Sequence, residues 1–398
     1  MELKHGYKQT EAGVIPEDWT VSKMGKIANV IMGQSPLSEF YNNKGIGLPL
    51  IQGNADIENR KTIVRSYSSM ITKRGKLGDI IMSVRAPVGE VAKSTFDCCL
   101  GRGVCAISFK NEYLYHYLVF FEKSWAKFST GSTFDSINST QVIELPIPIP
   151  KDDSEQLLIA NALSDMDALI SQTEKLIEKK KAIKQGAMQE LLKPKDGWVT
   201  KKLSDIGKTY GGLSGKSKVD FEKGNAFYIP FMNVMSSPII KTDYFDSVNI
   251  GLGEKQNKAM QGDLFFNGSS ETPEEVGMCS VLTESIDNLY LNSFCFGFRL
   301  NDAQTNNGLF LAYYFRSGYG REAIYSLAQG ATRYNLSKSN FLKMELPLPS
   351  IDIQIEITNC ISDMDLELLG LQNKLNKLKQ QKQGMMQALL TGKIRLVS

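Results

Sequence analysis

The sequence is short of the residues from which most catalytic sites are built. Only two histidines, His5 and His116, occur in 398 residues. A histidine-rich metal site is excluded, and a Ser-His-Asp triad would have to use one of these two, neither in a recognisable setting. The six cysteines, Cys98, Cys99, Cys105, Cys279, Cys295 and Cys360, never form a C-x-x-C pair. Zinc ribbons and thioredoxin-type motifs are therefore unsupported, no disulfide framework is suggested, and buried reduced thiols are expected. No apolar run approaches the roughly 20 residues that span a bilayer. The opening stretch to Trp19 lacks a basic segment followed by an apolar one, so no secretory signal is visible and a cytoplasmic chain is expected. Charge is nearly balanced, with 46 Lys+Arg against 43 Asp+Glu. That permits a nucleic-acid partner without arguing for one, since a basic patch can sit inside a balanced total. At 42% hydrophobic and 22% charged residues the composition is that of a folded globular protein, and the length allows two to three domains.

Catalytic motifs are missing as well. Tyr210-Gly-Gly-Leu-Ser-Gly-Lys-Ser217 imitates a phosphate-binding loop, but tyrosine stands where the first glycine belongs. A polar turn is the better reading. There is no glycine-rich S-adenosylmethionine loop and no Asn-Pro-Pro-aromatic signature. Asp152-Asp153 and Glu274-Glu275 read as solvated surface rather than a paired-carboxylate site. No catalytic residue, metal site or cofactor is expected in this chain.

What the sequence does contain is a duplication. Leu163-Ser-Asp-Met-Asp167 recurs as Ile361-Ser-Asp-Met-Asp365, and Lys184-Gln-Gly-Ala-Met-Gln-Glu-Leu-Leu192 as Lys382-Gln-Gly-Met-Met-Gln-Ala-Leu-Leu390, both at an offset of 198. Glu144-Leu-Pro-Ile-Pro148 recurs as Glu345-Leu-Pro-Leu-Pro349 at an offset of 201. Upstream, the halves match in outline: Trp19 with Trp198, Gly33-Gln-Ser-Pro with Gly212-Leu-Ser-Gly, Gly78-Asp-Ile-Ile with Gly262-Asp-Leu-Phe, and Gly131-Ser-Thr with Gly330-Ala-Thr. Each half is a divergent head followed by a similar tail, the pattern of one scaffold carrying two recognition surfaces.

The tails predict long helices. Ile361, Met364, Leu368, Leu371, Leu375 and Leu378 alternate steps of three and four, a coiled-coil seam. The first copy places Leu163, Met166, Ile170, Thr173, Ile177 and Lys180 at the same positions, a weaker seam with two polar members. Pro146, Pro148 and Pro150, and Pro347 and Pro349, bar extension of the helices backwards. A helix over 153–192 would be roughly 60 Å long, at about 1.5 Å per residue, and would need a partner; pairing of the two tails supplies one. Gly186 and Gly384 at matching positions suggest either close packing or a kink. The heads read as mixed and mostly β, with short apolar runs such as Asp79-Ile-Ile-Met-Ser83, Gly103–Phe109, Asp263-Leu-Phe-Phe266 and Phe294–Leu300, and with helices near 111–127 and 307–327. The lysines at 179–181 and at 374, 377, 379 and 382 read either as a solvated helix face or as a path along a DNA backbone.

Loops at corresponding places in the two heads supply the candidate DNA contacts. Arg85 ends the Ile81–Val84 run. Arg102 stands between Gly101 and Gly103, which would let the backbone approach a partner closely. Ser35 and Thr133 join them from the first head, and Ser214, Lys216, Asn267, Ser269, Ser270, Arg333 and Tyr334 come from the second. Side chains of these types suit base edges and phosphates, and they are equally common in plain surface turns and loops.

Taken together, the opening Tyr7-Lys-Gln-Thr-Glu-Ala-Gly-Val-Ile-Pro-Glu-Asp-Trp19, the Gly78–Gly89 segment with Gly101-Arg-Gly103, the twin Leu-Pro-x-Pro helices ending in Gln-Gly-x-Met-Gln, and the closing Leu390-Thr-Gly-Lys-Ile-Arg395 resemble the DNA-specificity subunit (HsdS) of Type I restriction-modification systems over the whole chain. The resemblance implies an α+β fold with a pseudo-twofold internal repeat. Two strand-rich target recognition domains, at 1–150 and 195–349, would be separated by two long helices, at 151–194 and 350–398, forming an antiparallel coiled coil. Each domain would read one half of a split target in double-stranded DNA. The helices would set the spacer and bind two methyltransferase subunits, and larger complexes would add restriction/translocase subunits. S-adenosylmethionine, ATP and Mg would be used by those partners, which would also flip and methylate the adenine. The competing class is a coiled-coil scaffold whose two heads bind protein or carbohydrate.

Overall fold

The computed structural model describes residues 5–127, 136–328, 330 and 333–396. Two units emerge, Met1–Lys175 with Asn373–Ser398, and Leu176–Gln372. Each contains one head and a stretch of both long helices.

In the first head a six-stranded sheet runs Asn29–Met32, Val104–Ser108, Ile80–Ser83, Val91–Lys93, Lys61–Thr62, Ile57–Glu58. A five-stranded sheet centres on Cys98–Leu100 and Leu48–Ile51, which pair in parallel. Ile80–Ser83 is buried on both faces, and the period of two sorts its side chains. Ile80 and Met82 pack with Trp19, Tyr113 and Leu114. Ile81 packs with Ile51, Cys98 and Leu100 between the two sheets. The second head repeats the plan. Gly207–Gly211, Cys295–Leu300, Leu264–Asn267 and Cys279–Val281 form one sheet, and Asp246–Val248, Ala226–Ile229 and Leu289–Leu291 another. Leu264 and Phe266 join the helix-side core, while Phe265 faces the smaller sheet with Ile229, Leu289 and Leu291. Phe266, Phe296, Phe315 and Phe341 make that core aromatic, Phe266 lying 4.7 Å from Phe341 and 5.4 Å from Phe296 between ring centroids.

Three details differ from the sequence expectation. Pro146–Pro150 is itself a strand, antiparallel to Trp19–Lys23. Prolines at every second position put the missing N–H groups on one edge, leaving the other free to pair, and Ile147 and Ile149 between them are buried. The helix expected over 111–127 is an α-helix, Tyr113–Phe121, followed by the 3-10 segment Glu122–Lys127. The one expected over 307–327 is two helices, Gly308–Arg316 and Gly318–Tyr325, separated at Ser317, whose hydroxyl caps the second.

The long helices, Asp153–Leu191 and Ile351–Leu389, have 39 residues each and run antiparallel. In the first unit Lys379 pairs with Glu174 at 2.7 Å and Lys382 with Asp167 at 2.6 Å. In the second Lys180 pairs with Glu367 at 2.7 Å and Lys184 with Asp365. Three of the seven lysines singled out in the sequence, Lys180, Lys379 and Lys382, are thus spent on acids of the facing helix, and Lys181 pairs with Glu178 of its own. Of the seam residues, Leu163, Ile177, Ile361 and Leu375 are buried, and Met166, Ile170, Met364, Leu368, Leu371 and Leu378 are half-buried. Leu163 and Ile361 also belong to the cores of their heads. The two polar seam members are accommodated: the Thr173 hydroxyl donates to Leu169 O at 2.8 Å, and Lys180 is held by Glu367. Both helices continue through Gly186 and Gly384, and a Cβ at either would meet open space. Close packing does not explain these glycines.

The duplicated Ser-Asp-Met-Asp and Lys-Gln-Gly segments join head to helices. In the first unit His116, 1% exposed, lies 3.0 Å from the Ser164 hydroxyl and 3.9 Å from Asp167, which also takes Lys382. Burial, then the positive charges of Lys382 and Lys93, push the imidazole down to about 3, so it is neutral. In the second unit Tyr313 occupies the same place. Its hydroxyl donates to Asp365 at 3.0 Å and meets Ser362 at 3.5 Å, and Lys184 lies over its ring.

Candidate nucleic-acid interface

In both heads the candidate residues gather where the same set of strands ends. In the first, Val84 N donates to Gly103 O (2.8 Å), Gly101 N to Ile51 O (2.7 Å) and Gln34 N to Leu100 O (2.9 Å). These bonds collect the residues after Met32, Ile51, Ser83 and Leu100 at one place. In the second, Gly268 N donates to Phe294 O (2.9 Å), Asn292 N to Ile229 O (3.2 Å) and Leu213 N to Leu291 O (2.8 Å). The network is the same, so the chain positions correspond: Arg85 with Ser269, Arg102 with Ser293, Gln52 with Pro230, Ser35 with Ser214. Close backbone approach requires two matching glycines. A Cβ on Gly33 would lie 2.0 Å from Gly101 O, and one on Gly212 would lie 1.9 Å from Asn292 O.

The first head's end is cationic. Arg85 and Arg102 are exposed, and among the described residues neither has an acidic partner. Arg85 is fixed by a bridge to Ser136, and Arg102 N donates to the Ser35 hydroxyl at 3.0 Å. With Gln52 and Arg65, Arg85 lines a cleft of about 610 Å³. The glycines around Arg102 serve the protein's own packing. A Cβ on Gly101 would meet Gln52 Cα at 2.9 Å, and one on Gly103 would meet Gln52 O at 2.1 Å. They seat the Gln52 loop rather than admit a partner. Thr133 lies outside the described residues.

The second head's end has serines, Ser269 and Ser293, at the positions equivalent to Arg85 and Arg102. Ser269 and Ser270 pair with Asn335 and Tyr334, Tyr334 is half-buried and Arg333 is exposed. Ser214 is exposed, and its backbone exchanges hydrogen bonds with the Gln256 amide at 3.2 and 2.8 Å. Two expected contacts prove to be structural. Asn267 is 0% exposed. Its amide donates to Glu275 O at 2.9 Å and Ser269 O at 3.2 Å, and accepts from Met278 N at 2.6 Å. It ties down the loop as Ser83 does in the first head, through Pro87 O and Glu90 N. The Lys216 side chain is 8% exposed and donates to Glu254 at 2.5 Å and Asn249 O at 2.6 Å. Lys216, with Gln256 and Gly251 N, holds Glu254 down to about 2. Sequence reasoning missed Gln52, Arg65, Ser293 and Phe294. Phe294 was hidden in an apolar run that reads as strand, yet it is 62% exposed.

No group of His, Cys, Asp and Glu able to hold a metal occurs among the described residues, and no described helix is long and apolar enough to cross a membrane. Five cysteines are buried and free, and Cys360 is exposed.

Comparison with known proteins agrees with this architecture. The family profile described as Type I restriction modification DNA specificity domain matches twice, over residues 16–185 and 195–380. The chain is similar to the provisionally named type I restriction enzyme MjaX specificity subunit of Methanocaldococcus jannaschii, 36% identical over 193 residues covering 47% of this chain and 45% of that protein. It is also similar to the MjaIX specificity subunit of the same organism, 23% identical over a 435-residue alignment covering 98% and 96%. The chain spans about half the length of the first and nearly all of the second. Among solved structures, the S subunit of a Type I restriction-modification system from M. genitalium superposes with a TM-score of 0.57 at 15% identity, covering 98% of both chains. The HsdS subunit from Thermoanaerobacter tengcongensis gives 0.51 at 17%, covering 96% and 98%. These two show the shared fold, and none of these four relatives is described as a scaffold with protein- or carbohydrate-binding heads. Two strand-rich heads, a paired antiparallel helix stem and a twofold match to one family profile lead to one conclusion: the chain belongs to the Type I restriction modification DNA specificity family.

Proposed function

We propose that this chain is the sequence-specificity subunit of a Type I restriction-modification complex, each head reading one half of a bipartite target in double-stranded DNA. The observation that carries this reading is the matched pair of strand ends. One hydrogen-bond scaffold occurs twice, and its exposed side chains differ between copies. Identical readers would recognise a symmetric target, whereas these fit an asymmetric one. Residues 1–150 and 195–349 act as the target recognition domains, and 151–194 and 350–398 as the spacer helices. Two modest binding heads on one stem gain affinity together because the second contact is intramolecular.

The subunit is non-catalytic. S-adenosylmethionine, ATP and Mg belong to methyltransferase and restriction/translocase partners, and the assembly works in the cytoplasm. The helices offer partners an apolar surface. Leu157, Leu158 and Leu169 in the first unit and Ile353, Ile355, Leu366 and Leu369 in the second are large, exposed side chains. Of the expected contacts, Ser35, Arg85, Arg102, Ser214, Ser269, Ser270, Arg333 and Tyr334 stay available for DNA. Asn267 and Lys216 leave the set because their polar groups are already committed.

The test is a change of stem length. Four residues inserted after Ser171, with four opposite them in the second helix to keep the antiparallel register, lengthen the stem by about 6 Å. The recognised spacer should lengthen while both half-sites persist. A changed half-site with an unchanged spacer contradicts the reading.

A further inference from the structure

The equivalence of the two strand ends allows a position-by-position comparison of their chemistry. Where the first head presents Arg85, Arg102 and Gln52, the second presents Ser269, Ser293 and Pro230. Where the first has Gly103, buried under the Gln52 loop, the second has Phe294, a residue 62% exposed. Arg85 and Gln52 line the same cleft. Among the described residues the Arg85 guanidinium makes no salt bridge and the Gln52 side-chain amide makes no hydrogen bond, while Asp56 in the same cleft is taken up by Gln52 N at 2.7 Å and Gly53 N at 3.3 Å. An exposed phenylalanine flanked by Ser293, with no cation at the positions equivalent to Arg85 and Arg102, presents the opposite chemistry.

We infer that the two heads read different base classes: the first reads guanine through Arg85, and the second reads thymine through Phe294. This rests on the DNA-specificity reading above. A guanidinium presents two parallel N–H donors that match guanine O6 and N7, and no other base edge accepts both. A serine at the same place cannot fork. An exposed aromatic ring has no such donor, and its complement in the major groove is the thymine methyl. A free guanidinium in a cleft shared with an unpaired amide suits a base edge better than a phosphate, because the amide adds donor and acceptor selectivity that a phosphate does not need.

The test uses the full chain assembled with its methyltransferase subunit. The probe is a randomised double-stranded DNA library, selected and sequenced at two salt concentrations. Arg85→Ser and Phe294→Gly each give one head the other's residue at an exposed position, and thermal melting checks that both variants remain folded. Arg85→Ser should cut the preference at one guanine of one half-site by roughly five- to a hundredfold and leave the other half-site unchanged. Phe294→Gly should relax one thymine in the other half-site only. Weakening of Arg85→Ser equally on all sequences, with a shallower salt dependence, would identify a phosphate contact and overturn the inference. So would relaxation at a base other than guanine, or at a base other than thymine for Phe294→Gly. A split motif that passes unchanged through both variants defeats this inference alone. A wild-type complex that selects no split motif defeats the function proposed above as well.

Discussion

The junction between the first head and the segment after the second long helix allows a quantitative prediction. Arg395 reaches two carboxylates. It donates to Glu155 at 2.5 and 2.8 Å and to Asp18 at 2.9 and 2.7 Å. Glu155 is 1% exposed, and its other described side-chain donor is the Trp19 indole at 3.2 Å. Asp18 is mostly exposed. These settings decide the magnitudes. Replacing Arg395 with Met keeps much of the stem volume but leaves a buried carboxylate with one neutral donor. Breaking such a pair from one side costs about 3–5 kcal/mol. The Asp18 contact is screened by solvent, so Asp18→Asn should cost no more than about 1 kcal/mol. Glu155→Gln combined with Arg395→Met should recover part of the loss, because the uncompensated charge is gone. Two of the three tryptophans, Trp19 and Trp125, lie in the first unit. In a Trp198→Phe background, fluorescence-detected urea unfolding therefore reports that unit alone. A loss below about 1 kcal/mol for Arg395→Met, or an equal loss for Asp18→Asn, would refute the reasoning.

Three further outcomes follow from the packing. His116 is neutral when folded, its pKa depressed to about 3 from an ordinary 6.5; its stabilising contribution is complete above about pH 6.5 and is lost as pH falls toward 3, with a slope of up to about 1.4 kcal/mol per unit. His116→Gln, which can still donate to Ser164, should flatten urea midpoints between pH 6.5 and 4.5, and an unchanged slope would contradict the assignment. Phe341→Ala removes a ring packed on Phe266, Phe296, Phe298 and Phe315 and should cost about 3–5 kcal/mol in unfolding of the second unit. Glycine-to-alanine changes should divide by sign: Gly186→Ala and Gly384→Ala, open and helical, should each stabilise by about 0.5–1 kcal/mol, whereas Gly33→Ala, aimed at Gly101 O, should lower the melting temperature and disturb DNA binding together.

What was legible in the sequence was what repeats or has a period. The 198-residue offset exposed the duplication, steps of three and four exposed the helices, and short apolar runs located the central strands of both heads. The proline strand Pro146–Pro150 was not legible, because its partner, Trp19–Lys23, is far away in sequence and proline argues locally against a ladder. Nor was the fate of polar loop residues. Asn267 and Lys216 have the composition of DNA contacts, yet Met278, Glu254 and Asn249 claim them through contacts that no local pattern announces. The glycines around Arg102 pointed to close approach, which is correct, but what approaches is the Gln52 loop of the same head. Phe294 shows the converse: strand-like in sequence, exposed at the strand end.

The central claim is that this chain selects the DNA sequence for a partner's chemistry. Adenine methylation should be mapped across DNA from cells expressing this chain with its methyltransferase subunit, and from cells expressing the methyltransferase subunit without it. The account predicts a split methylated motif that vanishes without the chain. No chain-dependent methylation, from a confirmed complex with a demonstrably active methyltransferase, would contradict it.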